Sequence, residues 1–233
     1  MNGTIVKLAL AALLGRRRFW ALVAFPVVLI GLTVLVSVMA GDDEFGWQMV
    51  GFLGYPLVLP LVAILAASSV LGPEVDDGSI VYLLAKPVNR HAVAVSKWVV
   101  AWITTLVVGG GSVLAAGLVV EAGDQAIGWF VASVVAGTAY SGLFLALSAV
   151  TRHAVVIGLL FVLIWENVLG SIFTGVAWLS IGDWGVRVGH EVSSALDDPT
   201  NLPWAVLASL AVTAGAVFFA GDRLRSFALT GDE

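Results

Sequence analysis

Apolar residues recur along this chain in long uncharged blocks separated by short polar stretches. Blocks at 19–40, 45–71, 98–120 and 126–150 each hold more than twenty residues, the length an α-helix needs to cross a bilayer core about 30 Å thick. A fifth block, 154–175, and a sixth, 202–221, complete the series. Lipid supplies no partner for backbone N–H and C=O groups, so runs of this length must be helices and not barrel strands. The pattern therefore predicts an all-α polytopic membrane protein with six transmembrane helices, the whole of residues 1–233 forming one transmembrane domain. Ahead of the first block, Thr4, Lys7, Ala11, Gly15 and Arg18 recur at helical spacing while Val6, Leu10 and Leu13 turn away. This predicts a helix over 3–17 lying along the membrane interface.

Composition sharpens the class. Hydrophobic side chains make up 60% of the chain and charged ones 12%, against about 25% charged in a soluble domain. There are no cysteines, so disulfides and thiolate chemistry are excluded. The distribution of charge sets the direction. Lys7, Arg16, Arg17, Arg18, Lys86, Arg90, Lys97, Arg152, Arg223 and Arg225 fall on one side of the ladder, and Arg187 stands alone on the other with nine acids. Positive charge marks the cytoplasmic face, so both termini are expected inside the cytoplasmic (inner) membrane. The Arg16-Arg17-Arg18 cluster before an apolar run also fits a secretory signal, but that run is longer than a signal core, and losing it would spoil the alternation.

The most charged stretch, PEVDDGSIVYLLAKPVNR at 73–90, joins the second and third spans on the positive side. Pro73 is expected to end the second span, since it lacks an amide donor. Gly78-Ser79 offers a turn and a cap, Ile80, Leu83 and Leu84 share one face of a short helix, and Pro87 stops it. Asn89 can cap the next helix. So short a helix is unstable in water alone and needs a surface. That surface is either lipid headgroups or another protein.

These residues resemble the loop after the second span of type-2 ABC transporter permeases: an acid (Glu74), Gly78-Ser79-Ile80, the pair Leu83-Leu84, then Lys86-Pro87-Val88-Asn89-Arg90, and Lys97 further on. Asn89 stands where that family more often has serine, and Asp76-Asp77 precede the glycine. The six-span count, inside termini, interfacial helix and length are similar too. The resemblance implies that roughly 79–87 is a coupling helix resting in a cleft of a separate ATPase. Ile80, Leu83, Leu84, Lys86 and Pro87 would make that contact, and Glu74, Arg90 and Lys97 would brace the loop. It also implies a dimer of permeases, identical or related, with two ATPase subunits, exporting a hydrophobic or amphiphilic substrate. The chain lacks the glycine-rich loop with lysine that cradles nucleotide phosphates, so ATP and its magnesium belong to the partner. No cofactor, metal or nucleic acid is expected here. The alternative is a polytopic assembly or partner-binding subunit without transport.

Glu166, in LLFVLIWENVLGSIF, lies about 21 Å above the inner boundary, counting about 1.5 Å per residue from Arg152. A carboxylate at that depth costs about 2.5–3.5 kcal/mol, which the strongly apolar residues before it offset. Two readings stand. Glu166, with Asn167, faces the bundle interior on a translocation route or in an inter-helix hydrogen bond; or it sits near a helix break, wetted from outside, holding half-helix ends together. Gly170, Gly175 and Gly182 interrupt the chain beyond it, and 176–202 mixes tryptophans with scattered charge, as in a re-entrant outer segment. Type-2 permeases commonly have such segments. Trp20, Trp47, Trp98, Trp129 and Trp204 fit an interfacial belt, and the pairs Gly111/Ala115 and Ala211/Gly215 fit close helix contact.

Catalysis finds little support. His91, His153 and His190 fall in loops or at span ends, away from any serine in an opposed span. Glu74, Asp76 and Asp77 lack a second acidic group to complete an oxygen cage for a metal.

Overall fold

The computed structural model describes residue 13 and residues 16–40, 43–76, 89–120, 123–197 and 200–229, and all regular structure among them is helical. The helices are α1 (Arg16–Ala40), α2 (Asp43–Met49), α3 (Leu59–Asp76), α4 (Arg90–Thr104), α5 (Gly111–Val119), α6 (Asp124–Val150), α7 (Ala154–Leu160), α8 (Gly170–Ile172), α9 (Ile181–His190) and α10 (Leu202–Leu229). Wide π-helical turns at Val50–Val58, Thr105–Gly110 and Phe161–Leu169 join α2 to α3, α4 to α5 and α7 to α8, and a 3-10 turn at Thr174–Leu179 precedes α9. The expected interfacial helix 3–17 and the loop helix 79–87 lie almost wholly outside the described residues.

Among the described residues five helices are long and apolar enough to cross a membrane: Trp20–Ala40, Gly46–Leu71, Arg90–Val119, Asp124–Val150 and Leu202–Leu224. The block expected as the fifth of six spans is a shorter apolar helix, Ala154–Leu169. Its regular structure gives out at Phe173, which is extended with φ −117° and ψ 109°. One boundary differs from the sequence reading: helix α3 continues past Pro73 to Asp76. The helix of the third span begins at Arg90, where the Asn89 cap is expected to start it. Asn89 caps it, its side-chain oxygen accepting the His91 amide at 3.0 Å.

Helix α6 is the hub, packed against α3, α9 and α10. Its buried positions are mostly Ala, Gly and Ser, with Tyr140, Phe144 and Leu145 among them. Small side chains let neighbouring backbones come close, which is how helices gain packing energy in lipid. The close approaches are made by glycines other than those singled out from sequence. A Cβ on Gly185 or Gly189 of α9 would stand 2.5 or 2.6 Å from a carbonyl oxygen of α6, whereas one on Gly215 would meet nothing within 4 Å. Several hydroxyls inside the spans return to their own helix, as Ser133 to the Trp129 carbonyl, Thr138 to Val134 and Ser148 to Phe144. That leaves no polar cost to burying them. Gly123, with φ +59°, makes the turn into α6. Much of the first span is exposed, including Val27, Val28, Leu35 and Val38.

Candidate functional site

Polar chemistry inside the bundle collects under helix α9. A helix leaves its first four amides without internal partners, and here side chains take three of them. Ser180 Oγ accepts the Asp183 amide at 3.1 Å. Glu166 reaches across from the Phe161–Leu169 stretch: Oε1 accepts the Ile181 amide at 3.1 Å and Oε2 the Gly182 amide at 3.1 Å. The Ser180 hydroxyl donates to the same Oε2 at 2.6 Å. A carboxylate at a helix N-terminus also gains from the helix dipole. Glu166 is thus a cap supplied from another element, and it fixes α9 to the fifth apolar helix.

Two tyrosines complete the frame. Tyr140 of α6 and Tyr55 of the Val50–Val58 stretch are almost fully buried. The Tyr140 hydroxyl bonds the Glu166 carboxylate, and the Tyr55 hydroxyl donates to the Gly182 carbonyl. The 3-10 turn before α9 is held by indoles from three directions. Trp184 and Trp204 donate to the Trp178 carbonyl at 3.1 and 2.7 Å, and Trp165 donates to the Leu179 carbonyl at 3.3 Å. Trp204 is therefore engaged in the outer segment. Trp98, eight residues into its helix, likewise bonds Ser141 at 3.1 Å and not an interface.

A cavity of about 140 Å³ lies beneath this network, lined among others by Tyr55, Trp129, Tyr140, Glu166, Asn167 and Asp183. Both long walls are π-helical there, Gly51, Tyr55 and Pro56 on one side and Glu166 and Asn167 on the other. Such widened turns recur at functional sites, and Pro56 accounts for one, since it cannot donate to the regular α ladder. Asn167 spends its side-chain amide on its own helix, donating to the Val162 carbonyl at 2.8 Å. Asp183 lies on α9, outside the membrane-spanning helices. Burial, then the Glu166 carboxylate, push its carboxyl up to about 6 from an ordinary 3.8. Arg187 pairs with Glu191 at 2.9 Å on the same helix.

The bracing residues lie at the other end of the bundle. Lys97 is fully buried, its ammonium donating to the Val70 carbonyl at 2.7 Å. It ties the third span to the second a few residues before the chain leaves for the loop. Arg90 opens α4, and the Glu74 backbone lies in the last turns of α3. Ile80, Leu83, Leu84, Lys86 and Pro87 lie outside the described residues.

Sequence reasoning singled out Glu166 but missed Tyr55, Tyr140, Ser180 and Asp183. Ser180-Ile-Gly-Asp183 carries a signal that would have found two of them, a serine cap with an acid three residues on. Among the described residues no group of three His, Asp or Glu is placed to hold a metal ion.

The arrangement is a helical bundle with a small cavity, lined in part by Glu166 and Asp183, beneath the fastened helix α9. No curated protein matches the sequence. The family model described as "ABC-2 family transporter protein" matches residues 14–180. With several apolar helices around that match, the chain belongs to the ABC-2 family of transporter proteins: it is a multi-pass permease component of an ABC transporter, of a kind that associates with ABC ATPase subunits.

Proposed function

We propose that this chain is the membrane-spanning half of an ATP-driven exporter in the cytoplasmic membrane, both termini inside, moving a hydrophobic or amphiphilic substrate outward. Two copies, or this chain and a related one, assemble with two ATPase subunits that carry the ATP and magnesium. The loop helix of 79–87 seats in the ATPase through Ile80, Leu83 and Leu84, flanked by Lys86 and Pro87. Closure of the ATPases pushes on that loop and shifts the bundle between inward and outward access. Lys97 on the Val70 carbonyl supports this most directly, because a buried ammonium bonded to the backbone of the second span stiffens the place where the loop joins the bundle. Glu74 and Arg90 brace the same junction.

At the outer end, Glu166 is the latch of a gate. While it caps α9, the outer segment covers the cavity; release uncovers it. Asn167 keeps the latch-bearing helix intact through its bond to Val162. The cytoplasmic half of the reading is tested by Leu83→Asp and Leu84→Asp. Each places a charge on the apolar face, and each is expected to abolish co-purification of the ATPase while the permease still purifies as a folded bundle. Unchanged recovery of the ATPase with both variants contradicts the assignment.

A further inference from the structure

The loop between the second and third spans ends at the Asn89 cap, and His91 is the first aromatic side chain beyond it. Its ring lies against the last span. The imidazole stacks on Phe218 with ring centroids 4.7 Å apart and planes 15° from parallel, and Nε2 faces the Asp222 carboxylate at 3.5 Å. Phe218, Gly221 and Asp222 are spaced by three and four residues, so they share one face of α10. Gly221 opens a notch between the other two. A Cβ there would stand 2.3 Å from the imidazole Nδ1, far inside van der Waals contact. The ring is seated where only a glycine leaves room.

Beside this joint, Val95 and Trp98 of α4 face Leu210, Ala214 and Val217 of α10 across an apolar groove of about 570 Å³, with His91, Phe218 and Thr138 of α6 also lining it. Two helices held together by a seated side chain beside an open groove can swing about that point.

We infer that His91 is a positioning residue for transport: seated on Phe218, Gly221 and Asp222, it makes the end of the coupling loop and the last span one mechanical unit. Movement of the loop is then delivered to α10 and changes the width of the groove. This rests on the reading that the loop seats in an ATPase. Neither α4 nor α10 needs to bend, only to swing about the imidazole.

The chain has no cysteines, so spin labels can be placed at Val95 and Ala214, on opposite walls of the groove. The full permease, purified with its ATPase and returned to lipid, is compared with and without a non-hydrolysed ATP analogue and magnesium. The label separation is expected to shift by about 1–2 Å on adding the analogue, the scale of helix shifts in such transitions. His91→Ala, and independently Gly221→Leu, which fills the notch from the other side, are expected to abolish the shift while the same amount of ATPase is recovered. His91→Phe keeps the stack and is expected to restore it, which a merely structural loss would not predict. A shift that survives both His91→Ala and Gly221→Leu, or no shift in the unaltered protein, overturns the proposal. Failure of the unaltered permease to retain the ATPase overturns the reading beneath it instead, and is seen at the purification step.

Discussion

Replacing Glu166 by glutamine changes one oxygen to an NH2 group and leaves size and shape almost unaltered. The carboxylate accepts from the Ile181 amide, the Gly182 amide and the Ser180 hydroxyl, and glutamine can accept on one oxygen only. Its amide nitrogen then faces a backbone N–H, leaving at least one donor unsatisfied at about 1–3 kcal/mol. Loss of the negative charge at the N-terminus of α9 adds about 0.3–1 kcal/mol. With the weakening of the bonds that remain, the α9 latch is expected to lose about 2–4 kcal/mol, or about 30- to 800-fold in the fraction of time it stands open. Amide hydrogen exchange in detergent or lipid discs reads this directly. Exchange at Ile181, Gly182 and Asp183 is expected to speed up by that factor in Glu166→Gln, while Ala136 and Ala139 in the buried face of the fourth span keep their wild-type rates. In the assembled transporter the same variant is expected to lose transport or its stimulation of ATP hydrolysis with assembly retained. Unchanged exchange in α9 would refute the claim that Glu166 holds the outer helix down.

Two further substitutions probe the same structure from other sides. Asp183 has its carboxyl raised above the ordinary value, so it ionises more readily in the unfolded chain, and its contribution to stability falls as pH rises from about 4 through about 6. Asp183→Asn is therefore expected to stabilise the protein at about pH 8, by about 1–2 kcal/mol after allowing for partial exposure. The gain should vanish near pH 4, and thermal unfolding across that range checks the sign. Lys97→Met removes the ammonium from the Val70 carbonyl at an expected cost of about 1–3 kcal/mol. A midpoint lowered by about 2–10 °C in a chain of this size would show it.

The bundle was readable because lipid leaves a chain few choices: long uncharged blocks can only be helices, and among the described residues five helices are apolar and long enough to span. The fifth block forms a shorter apolar helix, Ala154–Leu169, because hydropathy counts apolar residues and not backbone continuity, and the chain turns extended at Phe173. Pro73 misled, since its cost depends on where in the helix it falls. At the site, Glu166 announced itself as a charge in oil, but its partners did not. Two are backbone amides, which no sequence pattern distinguishes, and Tyr140 comes from a span far away in the chain. Gly185 and Gly189, which carry no pattern in the sequence, are the points where α9 meets α6 backbone to backbone.

The central claim is that the apolar face of the loop between the second and third spans rests on an ATPase subunit. Single cysteines at Ile80 or Leu83 in this cysteine-free chain, carrying a photoactivated cross-linker in native membranes, test it most directly. The account predicts a covalent adduct with an ATPase at both positions. Recovery of lipid adducts alone at both would contradict it.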